Sequence, residues 1–333
     1  MKDFTGKIAV VTGGGSGIGR ELVRQLVAQG CSVAVADVLP AGMEHTLKAC
    51  RADGVPQGVR ITTHVVDVSD PDQIAGFQGE VADQMQTDKI HLLFNNAGIG
   101  GGGSLFTDSR ENWEKTFNVC WGGVYHMTRA FLPMLVKADE GHVINTSSVN
   151  GFWASLGPAT PHTAYSAAKF AVKGFTEALI TDLRINAPHV KCSVVMPGHI
   201  GTDIVKNSRA VLAGRENFEV GAAEVQRARQ RMAGLGVDAA QFSDDHVVGL
   251  INANADDFRN SAPTTAAQAA TIILDGVKAE RWRILVGEDA HALDANVRAA
   301  PDRAYEADFQ TPFGAVVAGS AAGTHLGDAA KQG

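Results

Sequence analysis

The chain has 333 residues, 45% of them hydrophobic and 20% charged, enough material for one large α/β domain or two small ones. Its net charge of −7, with no block of like charges, argues against a nucleic-acid surface, which needs clustered Lys and Arg. Four scattered cysteines (Cys31, Cys50, Cys120, Cys192) without a Cys-x-x-Cys pair argue against a zinc site or disulfide scaffold. The opening Met1-Lys2-Asp3-Phe4 leads straight into an apolar segment instead of a signal peptide, and no run has the ~18 apolar residues of a membrane span. A soluble, cytoplasmic, metal-free protein is expected.

Apolar, β-branched runs predict strands at Lys7–Thr12, Ser32–Asp37, Arg60–Asp67, His91–Asn95, His142–Ser147, Lys191–Met196 and Arg283–Val286. They lack period-two alternation, as strands covered on both faces do. Between them, helical periodicity predicts Gly17–Gln29, Asp70–Gln86, Glu111–Val136, Ala164–Asn186 and Thr265–Ala279. Such alternation implies a single Rossmann-type, doubly wound parallel sheet with helices on both faces and a ligand site at the strands' carboxyl ends. We expect one domain over residues 1–300. Residues 203–262 hold no convincing strand but do hold polar helical material such as Ala222–Met232, and read as an inserted lid. From 301 to 333 the chain turns Ala- and Gly-rich and reads either as an arm against a partner subunit or as an unstructured tail.

The residues point to a dinucleotide. Residues 12–19, Thr-Gly-Gly-Gly-Ser-Gly-Ile-Gly, follow the first strand and open a helix, so a pyrophosphate could approach bare backbone and free helix N–H donors. Asp37 ends the second strand, where a carboxylate accepts from the adenosine ribose and repels a 2′-phosphate; neither Ser16 nor Val38 supplies a cation for one. NAD is therefore expected over NADP. Further on, Tyr165 and Lys169 stand one helical turn apart, so the ammonium favours the phenolate and makes the tyrosine a usable base.

Taken in order, Gly13-x-x-x-Gly17-x-Gly19, Asn95-Asn96-Ala97-Gly98, Tyr165-x-x-x-Lys169 and Pro197-Gly198-His199-Ile200-Gly201-Thr202 resemble the short-chain dehydrogenase/reductase family, in its compact branch. The resemblance covers roughly residues 5–202. It implies hydride transfer between NAD and an alcohol or ketone carbon, with Tyr165 and Lys169 moving the proton and Ser148 orienting the substrate. The cofactor would meet Gly13, Ser16, Gly17, Ile18 and Gly19 at the turn, with Asp37 and Val38 beyond. Asp67 and Val68 would flank adenine, and Asn96, Ala97 and Gly98 the ribose. Pro197, Gly198, Ile200 and Thr202 would lie on the nicotinamide side, and Tyr165 and Lys169 would also touch the cofactor. A homodimer or homotetramer is implied.

The chain departs from the family in two places. Cys120 stands where an asparagine commonly orders a water near the lysine; Asn118 is its neighbour and would substitute only through a helix bulge. The loop from Trp153 to Thr163, with Pro158 and Pro161, is longer than usual. Phe152, Trp153, Leu156, Phe218 and Leu235 are expected to wall a bulky secondary alcohol. An NADP-dependent carbonyl reductase and a cofactor-binding protein without turnover are the alternatives.

Overall fold

A computed structural model describes residues 1–156, 161–215, 217–234, 236–309 and 311. The first third alternates β1 (Ile8–Thr12), α1 (Gly17–Ala28), β2 (Ser32–Asp37), α2 (Pro40–Asp53), β3 (Ile61–Val65), α3 (Pro71–Met85) and β4 (Leu92–Asn95). Next, α4 (Arg110–Phe117) passes through a π turn at Asn118–Gly122 into α5 (Gly123–Val136). Then come β5 (Gly141–Thr146), α6 (Thr163–Asn186), β6 (Val190–Pro197) and the two-residue β7 (Ile200–Gly201). Three helices follow: α7 (Ile204–Leu212), α8 (Ala222–Gly234) and α9 (Asp244–Asn260). The chain rejoins the main body through β8 (Thr264–Thr265), α10 (Ala266–Lys278), β9 (Arg283–Val286) and α11 (Glu288–Ala299).

Seven strands form one parallel sheet in the order β3-β2-β1-β4-β5-β6-β9. The order reverses between β1 and β4, which opens a crevice beyond their carboxyl ends. On one face Leu22 and Leu26 of α1 and Ile273 and Val277 of α10 cover Val11, Val33 and Val35. On the other, Phe77, Phe131, Leu179 and Leu183 from α3, α5 and α6 cover Val10, Leu93 and Val143. The buried amides of Asn95 and Asn145 bridge the sheet to the helices. Asn95 donates to Thr128 and to Asn145, and Asn145 donates to Thr176 of α6, at 2.8–3.0 Å. These bonds fix α6 against the end of β5.

The doubly wound sheet is as the apolar pattern predicts, with three differences. Helices α2 and α11 are additional. The stretch read as one helix, Glu111–Val136, is interrupted by the π turn. A two-stranded pair, β7–β8, brackets the three helices of the 203–262 stretch. Of the C-terminal stretch, residues 301–309 pack against the segment after β5: Ala304 is buried with Trp153 and Leu293, and the Tyr305 hydroxyl accepts from Ala154 N–H at 3.1 Å. Residues 312–333, and with them most of the proposed arm or tail, lie outside the described residues.

Candidate active site

Thr12 ends β1 inside the crevice and ties it to β4. Its hydroxyl accepts from the N–H groups of Asn96 (3.0 Å) and Ala97 (3.1 Å), while the Asn96 amide donates to the Thr12 carbonyl at 3.1 Å. The turn that follows requires glycine twice by conformation, with φ of +65° at Gly13 and +50° at Gly17. At Gly15 a Cβ would stand 2.8 Å from the Asp37 carboxylate. Ser16 caps α1 without bonding its backbone, so the first-turn N–H groups keep no side-chain acceptor. Bare backbone, free N–H donors and an adjacent carboxylate suit a dinucleotide's pyrophosphate and ribose. Gly19 plays a different part: it faces away from the cleft, and a Cβ there would lie 2.0 Å from the Gly13 carbonyl oxygen. Its missing side chain lets α1 seat against the turn.

Asp37 is held by backbone donors, Gly15 N–H to Oδ2 at 2.9 Å and Leu39 N–H to Oδ1 at 3.0 Å. Burial pushes its carboxyl above the usual value, against those N–H groups and the nearby Arg20. Arg20 is a cation the sequence reading overlooked. It lines the cleft, but it donates to the Gly15 carbonyl at 2.6 Å and to Thr46 at 3.3 Å. Val38, Asp67 and Val68 line the cleft beyond, with the Asp67 carboxylate accepting from the N–H and hydroxyl of Ser69.

Ser148 follows β5 in extended conformation, accepts from Asn150 N–H at 3.1 Å, and stands near enough to the Tyr165 hydroxyl to favour its phenolate. One turn further along α6, the Lys169 ammonium lies 5.3 Å from the Tyr165 ring centroid and donates to the Thr146 carbonyl at 2.8 Å. Burial raises the Tyr165 pKa and lowers that of Lys169, each penalising its charged form. Neighbouring Ser147 faces inward and donates to the Lys169 carbonyl at 2.7 Å, so it braces the helix.

The π turn delivers Cys120 to this group. Its thiol is buried, donates to the Ile99 carbonyl at 3.2 Å, and lies near enough to Lys169 that a Cβ at Gly98 would meet both. Asn118 stays exposed, so the bulge exists but does not bring the asparagine in. A thiol holds a water poorly compared with an amide. Cys120→Asn is expected to raise turnover severalfold without changing dinucleotide affinity, checked by steady-state rates and a fluorescence titration; an unchanged or lower turnover would remove Cys120 from any relay.

On the far side, Pro197, Gly198, Ile200 and Thr202 line the cleft, with the Thr202 methyl facing Gly17. Their loop is held from behind: His199 N–H donates to Asp289 and its Nε2 to the Phe258 carbonyl of α9, both at 2.6 Å. Asn207 of α7 donates to Ser16 at 2.8 Å, linking that helix to the glycine turn. Neither Asp289 nor Asn207 belongs to a local motif. The whole cleft measures about 1450 Å³. Leu156 and Phe218 are on its wall, but Phe152 and Trp153 are not. Trp153 is buried, with its indole N–H on the Ala304 carbonyl at 2.7 Å, and Phe152 lies under the Arg283 guanidinium. Leu235 and Pro158 lie outside the described residues. His162, which sequence reasoning missed, lines the cleft with its ring 4.7 Å from that of Tyr165, and burial pulls its pKa down to about 4.

Comparison with known proteins agrees with this geometry. A family model described as short chain dehydrogenase matches residues 7–213. The Mycobacterium tuberculosis protein SadH, named as an oxidoreductase, is 31% identical over 298 residues, 90% of this chain and 92% of that one. A Burkholderia phymatum short chain dehydrogenase/reductase solved in complex with NAD superposes with a TM-score of 0.70 at 28% identity, covering 94% of this chain and 99% of that one. A metagenomic short-chain oxidoreductase in complex with NADP gives 0.52 at 31% identity over 59% of this chain and 83% of its own.

Proposed function

The chain belongs to the short-chain dehydrogenase/reductase family, and on that premise we propose that it is an NAD-dependent oxidoreductase of bulky secondary alcohols and the matching ketones. The observation that carries the reading is the meeting of Ser148, Tyr165 and Lys169 in the same cleft as the glycine turn and Asp37. Bound nicotinamide would supply the hydride acceptor. The chain's own residues handle the proton. Ser148, beside the Tyr165 hydroxyl, presents the substrate oxygen to it. Tyr165 as phenolate takes the alcohol proton, and the Lys169 ammonium, 5.3 Å from the ring centroid, favours that phenolate by its charge.

Asp37 supports NAD because its carboxylate is aimed beside Gly15, where an adenosine ribose would lie. Cleft size and the apolar wall of Leu156, Phe218, Met232 and Leu250 support a bulky substrate. We read residues 203–262 as the lid over it, and the four unpaired cysteines as suited to a reducing cytosol. A panel of secondary alcohols followed by NADH absorbance, with NADP in parallel, tests the reading. Turnover with NADP but not NAD would favour the carbonyl reductase alternative; cofactor binding without any turnover would favour a non-catalytic protein.

Assembly follows from the same reading. Tyr125 and Val136 of α5 and Phe170 and Ile185 of α6 are exposed apolar residues on the two long helices, the faces that would pack across a two-fold axis. Light scattering at micromolar concentration is expected to give the mass of two or four chains; a monomer mass would contradict it.

A further inference from the structure

Most cations around the three helices between β7 and β8 are paired; of the two that line the cleft without an ion pair among the described residues, Arg227 of α8 is exposed and Arg209 of α7 is half-buried. Lys206 meets Asp256 at 2.6 Å, Arg229 meets Asp244 at 2.6 Å, and Arg259 meets Asp203 at 2.8 Å. Arg209 of α7 also lines the cleft, yet among the described residues it has no carboxylate in ion-pair range. Its one hydrogen bond is a long one, Nη2 to Asn252 at 3.3 Å, while Nε and Nη1 are buried with no partner. Burial lowers its pKa, with Glu224 and Asp256 acting on it only through space. A guanidinium cannot shed its proton to escape such a site, so the unpaired charge destabilises the fold as it stands.

Position separates this charge from the cofactor. Asn207 reaches Ser16 at the glycine turn, and a residue two further along a helix points about 200° away. Arg209 instead faces α9, where Val247, Leu250 and Phe258 line the same cleft. A half-buried cation without an ion pair, facing apolar side chains of α9, suits a molecule with an apolar body and one anionic end. We infer that Arg209 receives an anionic group, a carboxylate or a phosphate, on the substrate at the end remote from the carbinol carbon. The inference rests on the oxidoreductase reading and narrows its substrate class.

Matched secondary alcohols of several chain lengths, each bearing a terminal carboxylate, a terminal phosphate monoester or a terminal methyl ester, test it with NAD. Wild type should prefer one anionic series over the ester by roughly ten- to hundredfold in kcat/KM, the size of a charge-assisted hydrogen bond, and which series leads identifies the group. Arg209→Met should bring that ratio to about one, chiefly through KM, and Arg209→Lys should keep part of it. Because Arg209→Met removes a half-buried charge that has no ion pair, its Tm should hold or rise, whereas an arginine serving only the fold would lose Tm. Equal turnover of anions and esters by wild type, or a loss of NADH affinity in Arg209→Met, would overturn the inference while leaving the oxidoreductase reading in place. If no alcohol is turned over with either cofactor, that reading fails. Calorimetric binding of the carboxylate and phosphate compounds to wild type and Arg209→Met then decides on Arg209 alone, and binding that the variant does not weaken counts against it.

Discussion

Tyr165→Phe is expected to lower kcat for alcohol oxidation by about 10²–10⁴-fold, the usual contribution of a placed acid–base group, while NADH affinity changes little. Phenylalanine keeps the ring against His162 and Lys169 and removes only the hydroxyl. Lys169→Ala should fail differently. It removes the charge that favours the phenolate and a side chain lining the cofactor cleft, so turnover and NADH affinity should fall together. The sign of the pH dependence follows from the burial of Tyr165. Burial holds the hydroxyl protonated to higher pH than a free tyrosine, so oxidation should rise with pH across the neutral and alkaline range, and reduction should not share that rise. Stopped-flow rates with NADH titrations on the three proteins provide the check. A Tyr165→Phe rate within about tenfold of wild type, roughly 1.4 kcal/mol of barrier, would take Tyr165 out of the mechanism.

The strands were legible because burial on both faces writes itself as unbroken apolar runs; β2 and β9 fall at the expected residues. Helices α2 and α11 were not, because their inward stripes are Met43, Thr46 and Cys50, and Asp289, Ala290 and Leu293, too polar or small to show a period. The π turn leaves no signature either, since the apolar spacing continues through it. The place of Cys120 was legible nevertheless, because position along the chain is indifferent to helix type. Trp153 misled for the opposite reason. An aromatic beside a motif reads as site wall, but its indole N–H is satisfied by Ala304, 151 residues away, a contact that no local pattern encodes. The charge on Arg209 is of the same kind: only the packed helices reveal that no carboxylate among the described residues pairs with it.

Wild type should bind NADH more tightly than NADPH by about 10²-fold or more, and Asp37→Ala should cut that margin to within about tenfold. A 2′-phosphate would place a second negative charge within a few ångströms of the Asp37 carboxylate, and like charges about 4 Å apart cost about 4 kcal/mol at an effective dielectric near 20. Ribose hydroxyls would instead donate to it. NADH affinity in Asp37→Ala should also fall, because the Gly15 and Leu39 N–H groups lose their acceptor and the turn loses a brace. The variant alone should not reverse the preference, since Arg20 is committed to the Gly15 carbonyl and Thr46, leaving the phosphate no well-placed cation. Reversal should require a new cation, and Val38, on the cleft wall beside Asp37, is where the double variant Asp37→Ala, Val38→Arg would supply one. Fluorescence titrations of both cofactors against the three proteins measure the margins. Tighter NADPH binding by wild type, or an unchanged margin in Asp37→Ala, would mean that Asp37 does not read the ribose and that cofactor choice lies elsewhere in the cleft.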